Sequence, residues 1–134
     1  MKPDVLADTG PLYAAVDPDD EHHHRARKEI HQLQLQGRGI VVAWPVLLEA
    51  YTLVLYRLGH RTATRWLDNL LSGADLIHPA SEDYREAISR VTRFTDQKIT
   101  LFDAVTATLA IRMGIEVWTY DHHFDRLKVP VWHP

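Results

Sequence analysis

Short aliphatic runs alternate with longer stretches of helical period along the whole chain. Residues 4–7 predict a short buried strand entered from a charged end. Thr9-Gly10-Pro11 breaks it, and Pro11 suits the first turn of a short helix through Leu12, Tyr13, Ala14 and Val16. Asp17-Pro18 reads as a second helix start, with Asp17 as cap and Asp19, Asp20 and Glu21 near the positive end of the dipole. That helix is expected to run through Ile30, Leu33 and Leu35 and to stop at Gly37 or Gly39. Residues 40–43 are β-branched and predict a second strand. Trp44-Pro45 opens a helix whose apolar positions cover most of its circumference, which predicts deep burial, and Gly59 ends it. Further helices are expected over 61–72, 81–94 and 100–113, the last the most apolar and capped by Gly114. Strands are expected over 74–78 and 115–118. A turn follows at 121–124, and residues 129–132 read as a fifth strand at an edge, where Pro130 is tolerated.

Alternation of this kind predicts an α/β fold with a mainly parallel sheet of four to five strands, covered on both faces. At 134 residues, without repeat or linker, the chain is expected to form one domain over 1–134. No apolar run reaches the length of a membrane span, and Met1-Lys2-Pro3-Asp4 carries no signal-peptide pattern, so a cytoplasmic location is expected. The absence of cysteine removes disulfides, thiolate metal sites and a cysteine nucleophile. A net charge of −3 argues against a simple nucleic-acid coat but not against a nucleic-acid enzyme with an acidic pocket.

Four carboxylates interrupt or close apolar stretches: Asp8 after Val5-Leu6-Ala7, Glu49 within Val46-Leu47-Leu48, Asp103 within Leu101-Phe102-Asp103-Ala104-Val105, and Asp121 after Val117-Trp118-Thr119-Tyr120. Burying an ionised carboxylate alone is costly, and gathering several adds like-charge repulsion. A divalent cation removes both penalties. Asp8 and Asp121 follow strands, and ligand sites in parallel sheets lie beyond the carboxyl ends of strands, so both are expected at one edge. Each position also has a plain structural explanation. Asp8 can cap the following helix, and Glu49 can lie at a helix boundary with its head in water. Asp103 stands in a Thr100-x-x-Asp103 pattern that resembles a capping box, and Asp121 can start a turn. It is the set that points to metal chemistry. Asp96 and Asp125 are weaker extras.

Asp8-Thr9-Gly10 also matches an aspartic-protease half-site, but such proteases are almost wholly β and this chain is mostly helical by period. A phosphatase or phosphoacceptor domain also gathers Asp at strand ends. It needs a late Lys at a strand exit, and Lys98 precedes Asp103.

The chain resembles PIN-domain ribonucleases, and among them the VapC-type toxins of prokaryotic toxin–antitoxin pairs. The resemblance runs end to end. It rests on Asp8 with Thr9, Glu49 in Leu47-Leu48-Glu49-Ala50, Asp103 in Leu101-Phe102-Asp103-Ala104, and Thr119-Tyr120-Asp121-His122-His123-Phe124. It implies a three-layer α/β/α domain, an acidic pocket holding one or two Mg²⁺ or Mn²⁺ ions, and endoribonuclease activity. It also implies a homodimer and a small antitoxin whose tail fills the active groove. Asp8, Asp103 and Asp121 would hold metal. Glu49 would bind a second ion or orient the attacking water, and Thr9 and Thr119 would support with their hydroxyls.

For RNA contacts, Arg57, His60, Arg61 and Arg65 form the densest basic stretch, with Lys98, Arg126 and Lys128 as weaker candidates. Trp44, Trp66, Trp118 and Trp132 all fit burial. Three consecutive histidines, His22-His23-His24, point about 100° apart on a helix and cannot share one tetrahedral ion. His122 and His123 follow Asp121 and could help bind phosphate when protonated, but read first as surface residues at a turn. The alternative functions are a non-catalytic PIN-like module that binds RNA or a protein, or a housekeeping RNA-processing nuclease.

Overall fold

The hydrophobic runs that alternate with helices become the strands of one sheet. The computed structural model describes residues 3–134. β1 (Val5–Ala7) leads through α1 (Thr9–Ala14) and α2 (His23–Leu35) to β2 (Ile40–Ala43). From there α3 (Trp44–Leu58) and α4 (His60–Gly73) lead to β3 (Asp75–Ile77). α5 (Ser81–Val91) and α6 (Leu101–Met113) then cross to β4 (Glu116–Trp118), and the short α7 (His123–Arg126) follows.

The strand order is β3-β2-β1-β4, and every pairing is parallel. Helices flank the sheet in a three-layer α/β/α arrangement. β1 lies inside the sheet and its three residues are fully buried, so an unbroken apolar run is what the position demands. The chain builds the sheet outward from β1 to β3 and then returns to the other side of β1 for β4. The reversal leaves a crevice between β1 and β4 at their carboxyl ends, the place where ligands bind in open parallel sheets. Register completes the placement. Ala7 pairs with Trp118, so Asp8 and Thr119 leave the sheet side by side, and the Asp8 amide donates to the Trp118 carbonyl at 2.9 Å.

α6 is the central helix. Asp103 to Ala110 is buried without a break, which removes any polar face. Gly114 ends it in the left-handed region at φ 67°. Asp83 on α5 fastens to α6 by accepting two bonds from Arg112, at 2.8 and 3.0 Å, and one from its own helix start at the Ala80 amide.

Several expected elements differ. α2 starts at His23, not at Asp17. Asp17 instead accepts from the Asp19 amide and the Tyr13 hydroxyl, and Asp20 accepts from the His22 amide, so both acids close turns before the helix. Leu35 is exposed, and α3 is less enclosed than expected, with Leu48 and Tyr56 in solvent. α5 stops at Val91, short of Phe94. The expected fifth strand is a single bridge, Val117 to Val131, in which Val117 donates to Pro130 and Trp132 donates to Val117. Extending that ladder in either direction would require a donor from Pro130 or Pro134, and neither has an amide hydrogen.

Candidate active site

Asp8, Glu49, Asp103 and Asp121, the four acids singled out by pattern, line one open cleft of about 550 Å³ at the carboxyl ends of β1 and β4. Thr9, Lys98, Thr100, Tyr120 and His123 share its walls. Asp8 and Asp103 are each only 7% exposed, whereas Asp121 is half-buried and Glu49 is exposed on the rim. Glu49 therefore does not bear the burial cost expected from its apolar neighbours, because α3 turns that face to solvent.

A chain of short contacts links the acids. Thr119 donates to Asp8 Oδ2 at 2.8 Å and accepts from the Asp121 amide at 3.0 Å. Asp121 Oδ1 accepts from the His123 amide at 2.9 Å, which starts α7. The His123 ring Nδ1 lies 3.2 Å from Asp121 Oδ1 and 3.9 Å from Asp103 Oδ2. Thr100 caps α6 by accepting from the Asp103 amide at 3.0 Å, so that bond uses the backbone of Asp103 and not its carboxylate. Asp8 occupies the cap position of α1, but its side chain makes no capping bond.

Electrostatics follow from that geometry. Burial pushes the Asp8 carboxyl from 3.8 up to about 6. The Thr119 hydroxyl and the Thr9 amide pull it down, while the charges of Asp103 and Asp121 push it further up. Asp103 is also raised, first by burial and then by Asp121, against the opposing effects of Thr100 and His123.

The donor set fits a hard divalent cation. Carboxylate oxygens are the ligands Mg²⁺ and Mn²⁺ prefer, and clustered like charges are what such an ion relieves. Asp103, Asp121 and His123 place one ligand atom each within 4.8 Å of one another. Among the described residues the buried Thr9 hydroxyl of the cleft wall has no hydrogen-bond partner, which suits an added polar group such as metal-held water.

A PIN-domain profile matches residues 5–130. The chain belongs to the PIN-domain family. This PIN domain is similar in fold to the crystal structure of Mycobacterium tuberculosis VapC20, a Sarcin-Ricin loop cleaving toxin. The TM-score is 0.83 and identity 21%, over 97% of this chain and 99% of that one. It is also similar to Rickettsia felis VapBC2 bound to a DNA fragment from its promoter, with TM-score 0.76 and identity 17%, over 96% of this chain and 98% of that one. FitAcB from Neisseria gonorrhoeae matches with TM-score 0.69 and identity 18%, over 97% of each chain. No curated protein sequence matches the chain.

Two features of this PIN domain depart from the preferred sequence reading. His123 faces the acids instead of solvent, so its place after Asp121 was the better guide. Tyr120 lines the cleft while its hydroxyl is anchored on Glu29 at 2.5 Å. The basic stretch at Arg57 to Arg65 points elsewhere: Arg57 lies over the Tyr13 ring at 5.0 Å, and Arg65 lines a different cleft. Of the cations considered, Lys98 borders the acids. The histidine triplet is divided, with His23 Nδ1 on the Ala14 carbonyl at 2.8 Å and the His22 ring 4.8 Å from Tyr120.

Proposed function

We propose that the chain is a Mg²⁺- or Mn²⁺-dependent endoribonuclease and the toxin of a toxin–antitoxin pair. The observation that carries the reading is the convergence of Asp8, Asp103 and Asp121 in one cleft where, among the described residues, Lys98 is the only lysine or arginine in the lining. Membership of the PIN family supports nuclease chemistry. Similarity to a toxin that cleaves the Sarcin-Ricin loop, and to VapBC2 and FitAB assemblies, supports the toxin role and a small antitoxin partner. A homodimer in the cytoplasm completes the proposal. Among the described residues no helix is long and apolar enough to cross a membrane.

Asp8, Asp103 and Asp121 would hold the cation, and Glu49 would reach in from the rim to orient water. When bound, the metal supplies an acidified water and offsets the charge that builds on the phosphate. Thr119 holds Asp8 and Asp121 in fixed relation. His123 keeps a ring nitrogen beside Asp103 and Asp121, within reach of a cation that all three could share. Thr9 offers a free hydroxyl to water or phosphate oxygen.

The test is cleavage of labelled RNA by chelator-stripped protein, with Mg²⁺ or Mn²⁺ restored, beside Asp103→Asn. Several kcal/mol of charge stabilisation are at stake, so the variant is expected to lose at least about 100-fold in rate. Equal cleavage by the variant, or full activity in chelator, would overturn the mechanism. Growth arrest on expression, relieved by the product of an adjacent small reading frame, tests the toxin role. Light scattering that finds only a 15.4 kDa species would remove the dimer.

A further inference from the structure

The acid cleft does not end at the acids. Lys98 and His123 also line a second cleft, of about 590 Å³, with Gln97, His122, Asp125 and Arg126. Asp125 and Arg126 are shared in turn with a third cleft, of about 540 Å³, whose other walls are Arg90, Arg93, Phe94, Leu127 and Lys128. The three openings thus connect through shared walls. Lys98, Arg126, Arg90, Arg93 and Lys128 line them, from the end of α5, the segment that leads to α6, and α7 with the residues after it.

The acids along the way are few. Arg126 lies 4.0 Å from Asp96 and Arg90 3.5 Å from Glu86, while Asp125 belongs to the shared wall. Among the described residues Lys98, Arg93 and Lys128 form no ion pair. All three are exposed. Five cations against three acids is the reverse of the balance at the metal cleft. It is also the reverse of the chain as a whole, with its net −3.

Lys128 supplies an independent sign. It is the one described non-glycine residue at positive φ, 57°, just past α7. An L-residue there is strained, and Gly is the residue that removes the strain. The positive φ closes α7, with the Lys128 amide donating to the Asp125 carbonyl at 3.3 Å, and at this turn, where Gly would be less strained, the chain keeps an exposed lysine on the cleft wall.

We propose that this connected basic track binds the phosphate backbone of the RNA strand on one side of the scissile bond, with Arg93 and Lys128 as its free phosphate contacts. The proposal rests on the nuclease reading and adds to it the path of the substrate. A polyanion leaving the acidic centre along this track meets a cation at each opening, whereas the cleft that Arg65 lines shares no wall residue with the acid cleft. Backbone contacts of this type carry affinity and position but not sequence.

The experiment measures binding of fluorescent oligouridylate across a salt series, in the Asp103→Asn background with Mg²⁺, with and without Arg93→Gln and Lys128→Gln. Each lost contact lowers the slope of log affinity against log salt by about 0.7 on a single strand, so the pair is expected to lower it by about 1.4. Lys128→Gly is measured alongside and is expected to unfold at higher temperature while binding RNA more weakly. Slopes that do not differ would overturn the track and leave these cations to an acidic protein partner. A Lys128→Gly protein that is more stable and binds RNA equally well would also count against it. Metal-dependent cleavage of the same RNA by the wild-type chain is scored separately, so loss of the track and loss of the nuclease reading remain distinguishable.

Discussion

Asp8 and Glu29 grip the same three residues from opposite sides. At the end of β4, side chains alternate: Trp118 and Tyr120 turn to Glu29, and Thr119 between them turns to Asp8. Glu29 is 3% exposed and Asp8 7% exposed, so the two are nearly equally buried. Their surroundings are opposite. Glu29 receives the Trp118 indole at 3.0 Å, the Tyr120 hydroxyl at 2.5 Å and the Arg25 guanidinium at 3.4 Å. Among the described residues Asp8 receives only the Thr119 hydroxyl and the Thr9 amide, with no cation or ring donor, and faces two further acids. Asp83, 3% exposed, belongs with Glu29, since Arg112 and the Ala80 amide satisfy it. Burial alone therefore does not mark an acid as functional. A shortage of donors separates Asp8 from the other two, because a carboxylate left short of partners holds its charge at a cost unless a proton or an outside cation offsets it.

The largest expected effect is on the satisfied side. Glu29→Ala leaves the Trp118 indole and the Tyr120 hydroxyl unpaired, at about 1–3 kcal/mol each, so the protein should lose about 2–6 kcal/mol in urea unfolding. Asp8→Asn should do the reverse in chelator. With the folded carboxyl raised from 3.8 to about 6, the ionised form costs roughly 3 kcal/mol above pH 6, and the amide removes that cost. A metal-free Asp8→Asn protein less stable than wild type at pH 8 would break the contrast.

Divalent metal should stabilise the wild type by about 2.7 kcal/mol at a hundredfold excess over Kd, measured as a rise in Tm. That rise should vanish in Asp103→Asn. The pH profiles sharpen the comparison further. Asp8 contributes stability in chelator that is complete below pH 3.8 and lost as pH rises through about 6. Asp83 is held below its ordinary range by Arg112, so its contribution is present above pH 3.8 and lost as pH falls through the lowered value. Acid unfolding of Asp83→Asn should accordingly be flatter at the low end, and Asp8→Asn flatter between 4 and 6. Tyr120→Phe is expected to have the smallest effect, about 1 kcal/mol, with metal binding retained.

Much of this was legible in the sequence, and the exceptions share a cause. The strand exits at Asp8 and Asp121 were visible because a strand and its terminating acid are adjacent in the chain. The capping role of the Thr100 hydroxyl was visible for the same reason. Glu29 and Asp83 were not, because their donors come from Trp118, Tyr120 and Arg112, which are distant in sequence and brought close only by the fold. Turn chemistry at Asp17 and Asp20 overrode an apparent helix start, since carboxylates bond backbone amides two residues on as readily as they cap. Glu49 was placed in the right cleft for an incomplete reason: its apolar neighbours suggested burial, and the structure sets it on an exposed rim. The lysine that borders the acids, Lys98, lies in the segment between α5 and α6 and not in the densest basic stretch, because spacing in sequence says little about which side chains share an opening.

The central claim is that an outside cation completes the under-supplied acids at the β1–β4 crevice. Anomalous diffraction from crystals soaked in Mn²⁺ tests it most directly. The account predicts a manganese peak bounded by Asp8, Asp103 and Asp121. A well-occupied ion elsewhere on the molecule, with this crevice holding only water at saturating Mn²⁺, would contradict it.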